Sequence, residues 1–514
     1  MDPDVLICGA GPTGLVLALW LARVGIRVRI VDAASEPGTT TRALVVHART
    51  LEFYQQLGIV ETFLREATPF EGVNLWVRRK PVAHAVLGVM GAGLSPFPYS
   101  TICAQDHHER FLVRQLEQCG VVVERSTRLV DFERQPQAVR VTLERGDGGI
   151  EESRAAFLAG CDGAHSRVRQ VLGVGFPGGT YSQMFYVADI EGSGPALNGE
   201  LHVALDESDF LGVFPLRGTG TARLIGIVRA PEDRPDRSTS EPADDRPGEP
   251  LQWSDVSGRA AERLGIHVSR VNWFSTYRVH HRVARRFQDG RVFLLGDAAH
   301  IHSPAGGQGM NTGIGDAVNL AWKLAEVIRG HAPWKLLDSY EIERIAFARR
   351  LVSTTDRAFM FATSSGRLAR WVRTRVVPLL LPRLIRSATV RRLMFRTVSQ
   401  TAIHYRISPL SQGRLGATRG GDRLPWYADN YASLDGRSWQ LHVYGRVPDW
   451  VEDVCNSLQL SWRAFGWQPG MTKAGLTRDG IYLLRPDGHI ALADPGRSPV
   501  ALQRFARDWM TRDG

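Results

Sequence analysis

The feature that most constrains the fold is a glycine-rich turn, Gly-Ala-Gly-Pro-Thr-Gly, at residues 9–14. Apolar runs predict a strand over residues 4–8, a helix over 15–24, and a second strand over 27–31 that ends at Asp32. In this setting the glycines permit a tight turn and let a pyrophosphate approach the helix N-terminus, and Asp32 can bind a ribose diol. The stretch therefore predicts a dinucleotide-binding βαβ unit for an adenosine without a 2′-phosphate.

A second glycine loop lies in residues 290–324, and it too stands between a predicted strand and a predicted helix, beside an acid. Residues 292–295 predict a buried strand, which stops at Gly296-Asp297 before a loop with three more glycines and a helix from about residue 311. Asp297 can accept hydrogen bonds from cofactor hydroxyls, and backbone N–H groups around 308–311 can stabilise negative charge on a ligand. An ordinary strand–helix turn is the alternative, but so many glycines beside an acid favour a cofactor site.

The charge of the chain is concentrated in one segment. The 514 residues are too many for a single hydrophobic core, so two or three domains are expected. The formal net charge is +10, yet residues 367–396 alone hold nine arginines and no acid, which leaves the remainder nearly neutral. That distribution argues against a general nucleic-acid surface. Apolar side chains alternate with these arginines; packing within the protein or across a homodimer is favoured over peripheral membrane contact, because Pro378 and Pro382 should break the helix.

Cysteine usage indicates a reducing, cytoplasmic setting. The five cysteines are odd in number, form no CxxC pair and have spacings that suit neither a metal site nor a disulfide framework. The chain starts with Asp2 and Asp4 and has no basic n-region, so no signal peptide is expected. The apolar run at 376–381 is too short to span a bilayer.

Three further patterns organise the rest of the chain. Residues 139–143 and 155–159 predict a hairpin that delivers Cys161-Asp162-Gly163, another glycine-acid turn before a helix. The β-rich runs between residues 185 and 228 predict a separate antiparallel sheet. Residues 413–422 are typical of a linker, and the last ninety residues alternate strands and helices as a small α/β domain.

Together the three glycine-acid turns resemble those of the class A flavin-dependent aromatic hydroxylases, whose type is para-hydroxybenzoate hydroxylase. The resemblance covers roughly residues 5–350. Residues 482–488, Tyr-Leu-Leu-Arg-Pro-Asp-Gly, are similar to a strand-turn in the long members with a C-terminal thioredoxin-like domain. Those members include phenol hydroxylase, pentachlorophenol monooxygenase and the aromatic polyketide hydroxylases.

The resemblance implies an α/β fold of three parts. A Rossmann-like FAD-binding domain of the glutathione-reductase type carries an inserted antiparallel β-sheet domain for the substrate, and a redox-inert thioredoxin-like α/β domain follows. The implied boundaries are 1–75, 101–175 and 282–355 for the FAD domain, 76–100 and 176–281 for the substrate domain, 356–415 for the arginine-rich helical segment, and 416–514 for the thioredoxin-like domain.

The resemblance also assigns the residues of the site. The implied cofactor-binding residues are Gly9, Gly11, Pro12, Thr13, Gly14, Asp32, Arg42, Gln105, Asp162, Gly296, Asp297, Pro304, Gly307, Gln308, Gly309, Met310 and Asn311. Arg42 and the Asp162 turn would serve the nicotinamide cofactor as well as FAD. Phe214 and Pro215 are expected to line the substrate pocket. His47, His302 and Tyr277 are candidates for the group that favours deprotonation of a phenol, and each has an alternative interpretation as a structural residue.

The implied function is an FAD-dependent monooxygenase. NADPH, favoured over NADH by the resemblance alone, would reduce the flavin. The reduced flavin would take up O₂ as a C4a-hydroperoxide, whose distal oxygen would be transferred to a phenolic or polycyclic aromatic substrate. A flavin-dependent reductase or dehydrogenase is an alternative, as is a non-catalytic FAD-bearing binder of a reactive aromatic. A halogenase is disfavoured because the WxWxIP signature is missing.

Overall fold

The computed structural model describes residues 2–38, 43–70, 72–205, 210–228, 252–256, 264–303, 306–363 and 366–510. Within these residues the first sheet has six strands, of which only the edge strand Gln288–Asp289 is antiparallel. Their order is Gln288–Asp289, Val292–Leu294, Phe157–Gly160, Val5–Cys8, Val28–Val31 and Val123–Glu124. The predicted dinucleotide-binding sheet is therefore present, with Val5–Cys8 near its middle.

Two helices pack closely beside this sheet, Pro12–Arg23 and Gly309–Ile328. Their approach depends on glycine. A Cβ added at Gly313 would lie 2.2 Å from Thr13 Oγ1, and one added at Gly14 would lie 2.0 Å from the Gly9 carbonyl oxygen. A side chain at Gly313 would push against Thr13, and one at Gly14 would push against the turn before its own helix. The first glycine turn therefore packs directly against the helix that follows the second glycine loop.

Shorter elements complete this part of the molecule. The helices are Ala48–Gln56, Val60–Glu66, Leu87–Gly91, Gln105–Glu117 and Arg167–Leu172. One small antiparallel sheet orders Val45–Val46, Ser100–Ile102 and Thr68–Phe70, and another orders Ile150–Ala155, Val139–Arg145 and Thr127–Arg134.

The predicted hairpin of residues 139–143 and 155–159 is wrong. Val139–Arg145 pairs with Ile150–Ala155, whereas Phe157–Gly160 lies in the parallel sheet between Val5–Cys8 and Val292–Leu294. Phe157–Gly160 is buried at every position and Ile150–Ala155 alternates exposed with partly buried residues. That contrast follows from a central parallel strand, which is covered on both faces.

A larger sheet of eight strands stands beside the first. In sheet order its strands are His300–Ile301, His267–Val283, Gly178–Ser193, Thr221–Val228, Phe210–Pro215, Leu201–Leu205, Gly72–Val77 and Lys80–Val86. Neighbours are antiparallel except Gly72–Val77 with Leu201–Leu205. Gly72–Val77 crosses the predicted domain boundary at residue 75, and His267–Val283 crosses the predicted boundary at residue 281. The short helix Trp253–Val256 lies in the same stretch of chain.

A run of helices follows the first sheet. Its elements are Lys335–Thr363, Arg367–Trp371, a π-helical turn Val372–Val376, Val377–Leu384 and Ala388–Val398. Pro378 and Pro382 were predicted to break the helix here, but both lie inside Val377–Leu384. Pro378 occupies the first turn, where a missing N–H costs little. None of the helices in the described ranges is long and apolar enough to cross a membrane.

The C-terminal unit has its own sheet. Its strands are ordered Thr418–Arg419, Gln412–Leu415, Ile490–Asp494, Gly480–Leu484, Gln440–Tyr444 and Ser461–Phe465, with helices Val451–Ser457, Pro469–Ala474 and Val500–Trp509. Gln440–Tyr444 and Ser461–Phe465 are parallel, while Gly480–Leu484 is antiparallel to both of its neighbours. The linker predicted at 413–422 is wrong, because Gln412–Leu415 pairs with Ile490–Asp494 as part of the sheet.

A buried ionic cluster joins the C-terminal unit to the first one. The Arg485 guanidinium lies 2.8 Å from Glu343 Oε1 and 2.5 Å from Asp487 Oδ2, and Lys323 Nζ lies 2.9 Å from Glu343 Oε2. These four side chains are almost fully buried. Charges that are removed from water in this way depend on one another, so loss of one partner is costly.

Candidate functional site

A long groove crosses the carboxyl ends of the parallel strands. It consists of two cavities of about 490 and 630 Å³ that share Gly11, Cys161 and Gly163 in their walls. Asp32 lines one cavity and Asp297 lines the other. The structure therefore places the three predicted glycine-acid turns along one surface, where open α/β sheets bind their ligands.

The glycines of the first turn have different roles. Gly9 has a φ of +101°, and a Cβ there would lie 2.3 Å from the Cys161 carbonyl oxygen, so Gly9 makes the turn itself possible. A Cβ at Gly11 would meet nothing within 4 Å, because that side of Gly11 faces the open groove. Gly11 is also the N-cap of Pro12–Arg23 and makes no side-chain cap. The first turn of this helix therefore fits a pyrophosphate.

Asp32 both braces the turn and faces the groove. Its Oδ2 accepts a hydrogen bond from Ala10 N at 2.5 Å, and its Oδ1 accepts one from Ala34 N at 2.8 Å. A carboxylate has further lone pairs beyond these two bonds. Its position in the wall of the second cavity fits the ribose diol of a bound adenosine.

Asp162 also lines the groove, but its carboxylate is engaged with its own turn. It accepts hydrogen bonds from Ser166 Oγ at 2.5 Å and from Val168 N at 3.0 Å, at the start of Arg167–Leu172. Burial raises the pKa of this carboxyl. The next residue, Gly163, has a φ of +77° and leaves open space where a Cβ would be. At this turn the backbone of Gly163 is thus the part that faces a ligand.

The turn at Asp297 is held from behind by buried charge. Asp297 is exposed in the groove wall. Its neighbour Gly296 donates its N–H to Asp316 Oδ2 at 3.0 Å, and Asp316 is held in turn by His300 Nε2 at 2.7 Å and Arg344 Nε at 2.5 Å. Because Asp316 is fully buried and doubly paired, it fixes the backbone of the turn from behind.

The second helix points its N-terminus into the groove. The groove wall here consists of Gly307, Gln308, Gly309 and Met310. Gln308 is the N-cap of Gly309–Ile328, and its side chain makes no hydrogen bond to the backbone N–H groups of the first turn. The first turn of this helix contains no acidic residue. Its positive end is therefore suited to negative charge on a flavin ring.

Asn311 was predicted to bind the cofactor, but the structure places it behind the loop. Its Oδ1 accepts from His47 N at 2.9 Å and Thr50 Oγ1 at 2.8 Å, and its Nδ2 donates to the carbonyl oxygens of Val45 and Gly307. The side chain is buried and fully engaged. The Asn311 side chain thus positions the glycine loop, and only the backbone of Asn311 remains for the predicted cofactor contact.

His302, Ser303 and Tyr277 line the part of the groove that contains Asp297 and the second glycine loop, which we name its flavin end. His302 Nδ1 donates to the Ser303 carbonyl oxygen at 2.8 Å. Its Nε2 and the Ser303 hydroxyl are buried polar atoms that have no hydrogen-bond partner among the described residues. Buried polar atoms are rarely left without a partner, so this pair is a further observation that fits a polar flavin edge.

The remaining predicted cofactor residues divide into two groups. Gln105 lines the groove from the first turn of Gln105–Glu117, beside Pro12 and Thr13. Arg42 and Pro304 lie outside the described residues.

A separate apolar cavity of about 330 Å³ adjoins the flavin end of the groove. The two spaces share Val45, Phe214, Ile225 and Gly307. Phe214 was predicted to line the substrate pocket and does line this cavity; Pro215 does not. Successive residues of a strand face opposite sides, so Phe210 and Phe214 of Phe210–Pro215 share the cavity face.

His47 is the imidazole that lines the apolar cavity. Its Nε2 lies 2.9 Å from the Gly306 carbonyl oxygen, which can only accept, so Nε2 carries the proton and Nδ1 accepts from Ser100 Oγ at 3.2 Å. Burial lowers the pKa of His47 to about 4. The ring is therefore neutral at ordinary pH, and its acceptor nitrogen is paired with Ser100, which also lines the cavity.

Most of the cavity wall was not predicted from the sequence. The residues that were missed include Leu87, Met90, Ser100, Phe185, Phe395 and Ser399. Phe210 could have been found from strand alternation with Phe214. The contribution of Ala388–Val398 could not, because nothing in an arginine-rich helix indicates which distant sheet it covers.

Comparison with known proteins agrees with this geometry. A family profile described as "FAD binding domain" matches residues 2–355. The 6-methylpretetramide 4-monooxygenase of Streptomyces rimosus is 34% identical over 80% of this chain and 71% of its own length, and the rifampicin monooxygenase of Streptomyces venezuelae is 30% identical over 95% of both. The structure of the anhydrotetracycline hydroxylase OxyS from Streptomyces rimosus superposes with a TM-score of 0.76, at 28% identity and 99% coverage of both chains.

The profile covers the three turns that form the groove, and the relatives extend over the apolar cavity and the C-terminal unit. The chain therefore belongs to the FAD-binding class A flavin-dependent aromatic hydroxylases.

Proposed function

We propose that this FAD-dependent aromatic monooxygenase hydroxylates a neutral, extended phenolic substrate held in the apolar cavity. The observation that carries the proposal is the shared wall of Val45, Phe214, Ile225 and Gly307 between cavity and groove. A ring in the cavity would meet a flavin only through this wall. The names of the relatives, which act on 6-methylpretetramide and rifampicin, support a large aromatic substrate.

When bound, FAD reduced by NAD(P)H supplies the reactivity toward O₂. The chain's own part is to bind, orient and exclude water. Phe214 and Ile225 orient the aromatic substrate at the wall, and the almost wholly apolar lining keeps water from the reacting atoms. The N-terminus of Gly309–Ile328 stabilises negative charge on the ring system beside it.

His47 acts on the substrate through Ser100. A phenolic O–H donates to Ser100 Oγ while the Ser100 hydroxyl donates to His47 Nδ1. Because burial keeps His47 neutral, the pair polarises the substrate O–H and does not store its proton as an imidazolium. His302 and Tyr277 lie on the groove and not on the cavity, which supports a role beside the cofactor.

The C-terminal unit is proposed to be thioredoxin-like and redox-inert. Two observations support this fold: a parallel βαβ pair, Gln440–Tyr444 with Ser461–Phe465, and an antiparallel pair followed by the helix Val500–Trp509. Cys455 is buried in this unit, and burial raises its pKa to about 11. A thiol of that kind does not attack disulfides, so the unit has a structural role.

The three-part division is proposed with three boundaries moved to the ends of strands. The FAD domain comprises 1–71, 101–175 and 284–355, the substrate domain comprises 72–100 and 176–283, and the C-terminal unit begins at residue 412. The first of these moves is supported by Gly72–Val77, which pairs only within the eight-stranded sheet among the described residues. NADPH is proposed to dock transiently at the Asp162 turn, since the sequence has no second dinucleotide fingerprint.

The test is a turnover screen with the FAD-loaded protein. NADPH oxidation, O₂ uptake and product mass are measured against simple phenols and polycyclic phenols. The proposal expects substrate-dependent O₂ uptake and a product heavier by one oxygen atom. NADPH oxidation without any oxygenated product would favour a reductase, and tight aromatic binding without turnover would favour a binding protein; either result contradicts the proposal.

A further inference from the structure

Exposed apolar side chains are concentrated in one part of the molecule. Among the residues that the structure describes, fifteen large apolar side chains are exposed, and seven of them lie between 368 and 398. They are Leu368, Trp371, Leu379, Leu380, Leu384, Leu393 and Val398, with exposures from 41% to 76%. Single exposed apolar residues need no explanation, but a cluster of this size marks an interaction surface.

The same segment carries dense positive charge. Residues 367–396 hold nine arginines and no acidic residue. Six of these arginines are exposed: Arg367, Arg375, Arg383, Arg386, Arg392 and Arg396. Arg373 is buried and takes no part. The exposed residues of 367–398, which we name the 367–398 surface, thus combine apolar side chains with six arginines in a segment that contains no acidic residue of its own.

The spacing makes apolar side chains neighbours of one another and, in Val377–Leu384, of an arginine. Leu380 and Leu384 are four residues apart in Val377–Leu384, and Leu379 and Arg383 are another such pair one position earlier. Leu368 and Trp371 are three residues apart in Arg367–Trp371. Residues three and four apart are neighbours on a helix surface, so leucine, tryptophan and arginine are mixed rather than segregated.

The inner side of the same segment closes the apolar cavity. Met394, Phe395 and Val398 line that cavity, and Val398 is also 41% exposed. Val377–Leu384 packs against Lys80–Val86, whose Ala85 is another cavity residue. One thin layer of helices therefore has the cavity on its inner side and the 367–398 surface on its outer side.

We propose that the 367–398 surface docks peripherally on an anionic lipid bilayer. Leucine and tryptophan side chains enter the headgroup region while the arginines pair with lipid phosphates. A second copy of the chain fits less well, because a two-fold contact through this face would bring arginines against arginines with no acid to neutralise them. A nucleic acid would use the charge and leave the leucines exposed.

Docking would also place the cavity next to the bilayer. This consequence rests on the proposed function: a lipophilic aromatic substrate could then pass from the membrane to the cavity without crossing water. The docking itself rests only on the surface and is tested without turnover.

The experiment is flotation of the full-length, FAD-loaded protein with phosphatidylcholine vesicles that do or do not contain phosphatidylglycerol. We expect co-flotation only with the anionic vesicles, weakened at least several-fold by high salt. Replacing Arg367, Arg375, Arg383 and Arg392 by Gln should abolish it. Replacing Leu379, Leu380 and Leu384 by Ser should weaken it several-fold at unchanged net charge.

The matched control removes the same charge from the C-terminal unit, where Arg437, Arg446, Arg463 and Arg497 are exposed. Their replacement by Gln should leave flotation intact, and FAD content reports folding of every variant. An equal loss of co-flotation in this control would mean that net charge alone governs binding, and would overturn the proposal. Absence of co-flotation at low salt would overturn it too, as would a concentration-dependent dimer that the leucine changes disrupt while no vesicle binds.

Discussion

Gly11 belongs to the glycine-rich turn that predicts pyrophosphate binding, and the structure leaves open space where its Cβ would be. One substitution there tests both observations. A Cβ there meets no protein atom within 4 Å, so Gly11→Val is expected to fold normally but to block the pyrophosphate. FAD affinity should fall by roughly tenfold or more, a loss of about 1.4 kcal/mol or greater. Flavin absorbance per protein after desalting measures this.

Gly466→Val is the matched control for that change. Gly466 is exposed, and its Cβ position is also empty of neighbours, yet it lies in the C-terminal unit away from the groove. Equal flavin loss in both variants would show that the added valine acts on folding and not on the cofactor.

Ser100 tests the proposed hydrogen-bond relay. Ser100→Ala removes the group that connects a phenol to His47, so hydroxylation should slow by on the order of 10- to 100-fold while flavin reduction changes little. Ser399→Ala is the control, since Ser399 lines the same cavity but its hydroxyl pairs with Thr401. Single-turnover kinetics separate the two steps; equal slowing of both half-reactions in Ser100→Ala would contradict the relay.

Motif residues could be predicted from the sequence more readily than their individual contacts. Gly11 and Asp297 lie in the groove as expected, because a glycine between a strand and a helix has few other uses. Asn311 belongs to a predicted cofactor motif, but its side chain holds the glycine loop in place. This could not be predicted, because its hydrogen-bond partners, such as Thr50, are distant in sequence. Ser100 was not predicted, because a single serine has no signal until His47 is placed beside it.

At the scale of elements, the contact between Leu87–Gly91 and Ala388–Val398 sets one wall of the cavity. A Cβ at Gly91 would lie 2.6 Å from the ring of Phe395, so Gly91→Ala must displace this wall. We expect KM for the aromatic substrate to rise several-fold, with FAD content unchanged.

Gly88→Ala is the control within the same short helix, because a Cβ at Gly88 meets nothing within 4 Å. Shortening the facing ring in Gly91→Ala/Phe395→Leu should restore part of the lost affinity, as coupled neighbours do. A KM that stays high in the double variant would mean that the wall does not move as described.

Elements with a clear period could be predicted, and elements defined by distant partners could not. Pro12–Arg23 and Val28–Val31 were expected within a few residues of their bounds. Phe157–Gly160 was assigned to a hairpin because a four-residue apolar run fits a hairpin or a parallel sheet equally well. Gln412–Leu415 was taken for a linker because its glycine and polar residues pair only with Ile490–Asp494, far along the chain.

At the scale of the whole molecule, buried histidines should make the fold sensitive to acid. Burial lowers the pKa of His47 and His302 to about 4, and that of His108 and His442 to about 3. A lowered folded-state pKa means that stability is complete above the ordinary value of about 6.5 and falls as pH drops toward 4.

One such histidine costs about 2 kcal/mol at pH 5. Denaturant unfolding at pH 7.5 and pH 5 measures the loss. His442→Gln should flatten the dependence, whereas the change His107→Gln, at an exposed side chain, should leave it unaltered. Stability that is independent of pH over this range would contradict the prediction.

The ionic contact at Glu343 is a second whole-molecule determinant of stability. Arg485→Met would leave Glu343 buried with Lys323 as its one remaining cation among the residues that the structure describes, and is expected to cost about 3–5 kcal/mol of unfolding free energy. Arg406→Met, which breaks the partly exposed pair with Asp422, should cost less than about 1 kcal/mol. Equal costs would mean that burial of the contact contributes nothing.

That same contact limits how members of this family can recombine. The shared sequence profile ends at residue 355, before the C-terminal unit begins, so the unit looks exchangeable. Glu343 lies within the part of the chain that the profile covers, Arg485 lies in the C-terminal unit, and both side chains are fully buried. A chimera with a foreign C-terminal unit that lacks a matching arginine would have a poorly compensated buried carboxylate at the interface between the two units. Successful exchange must therefore transfer the acid and the arginine as a pair.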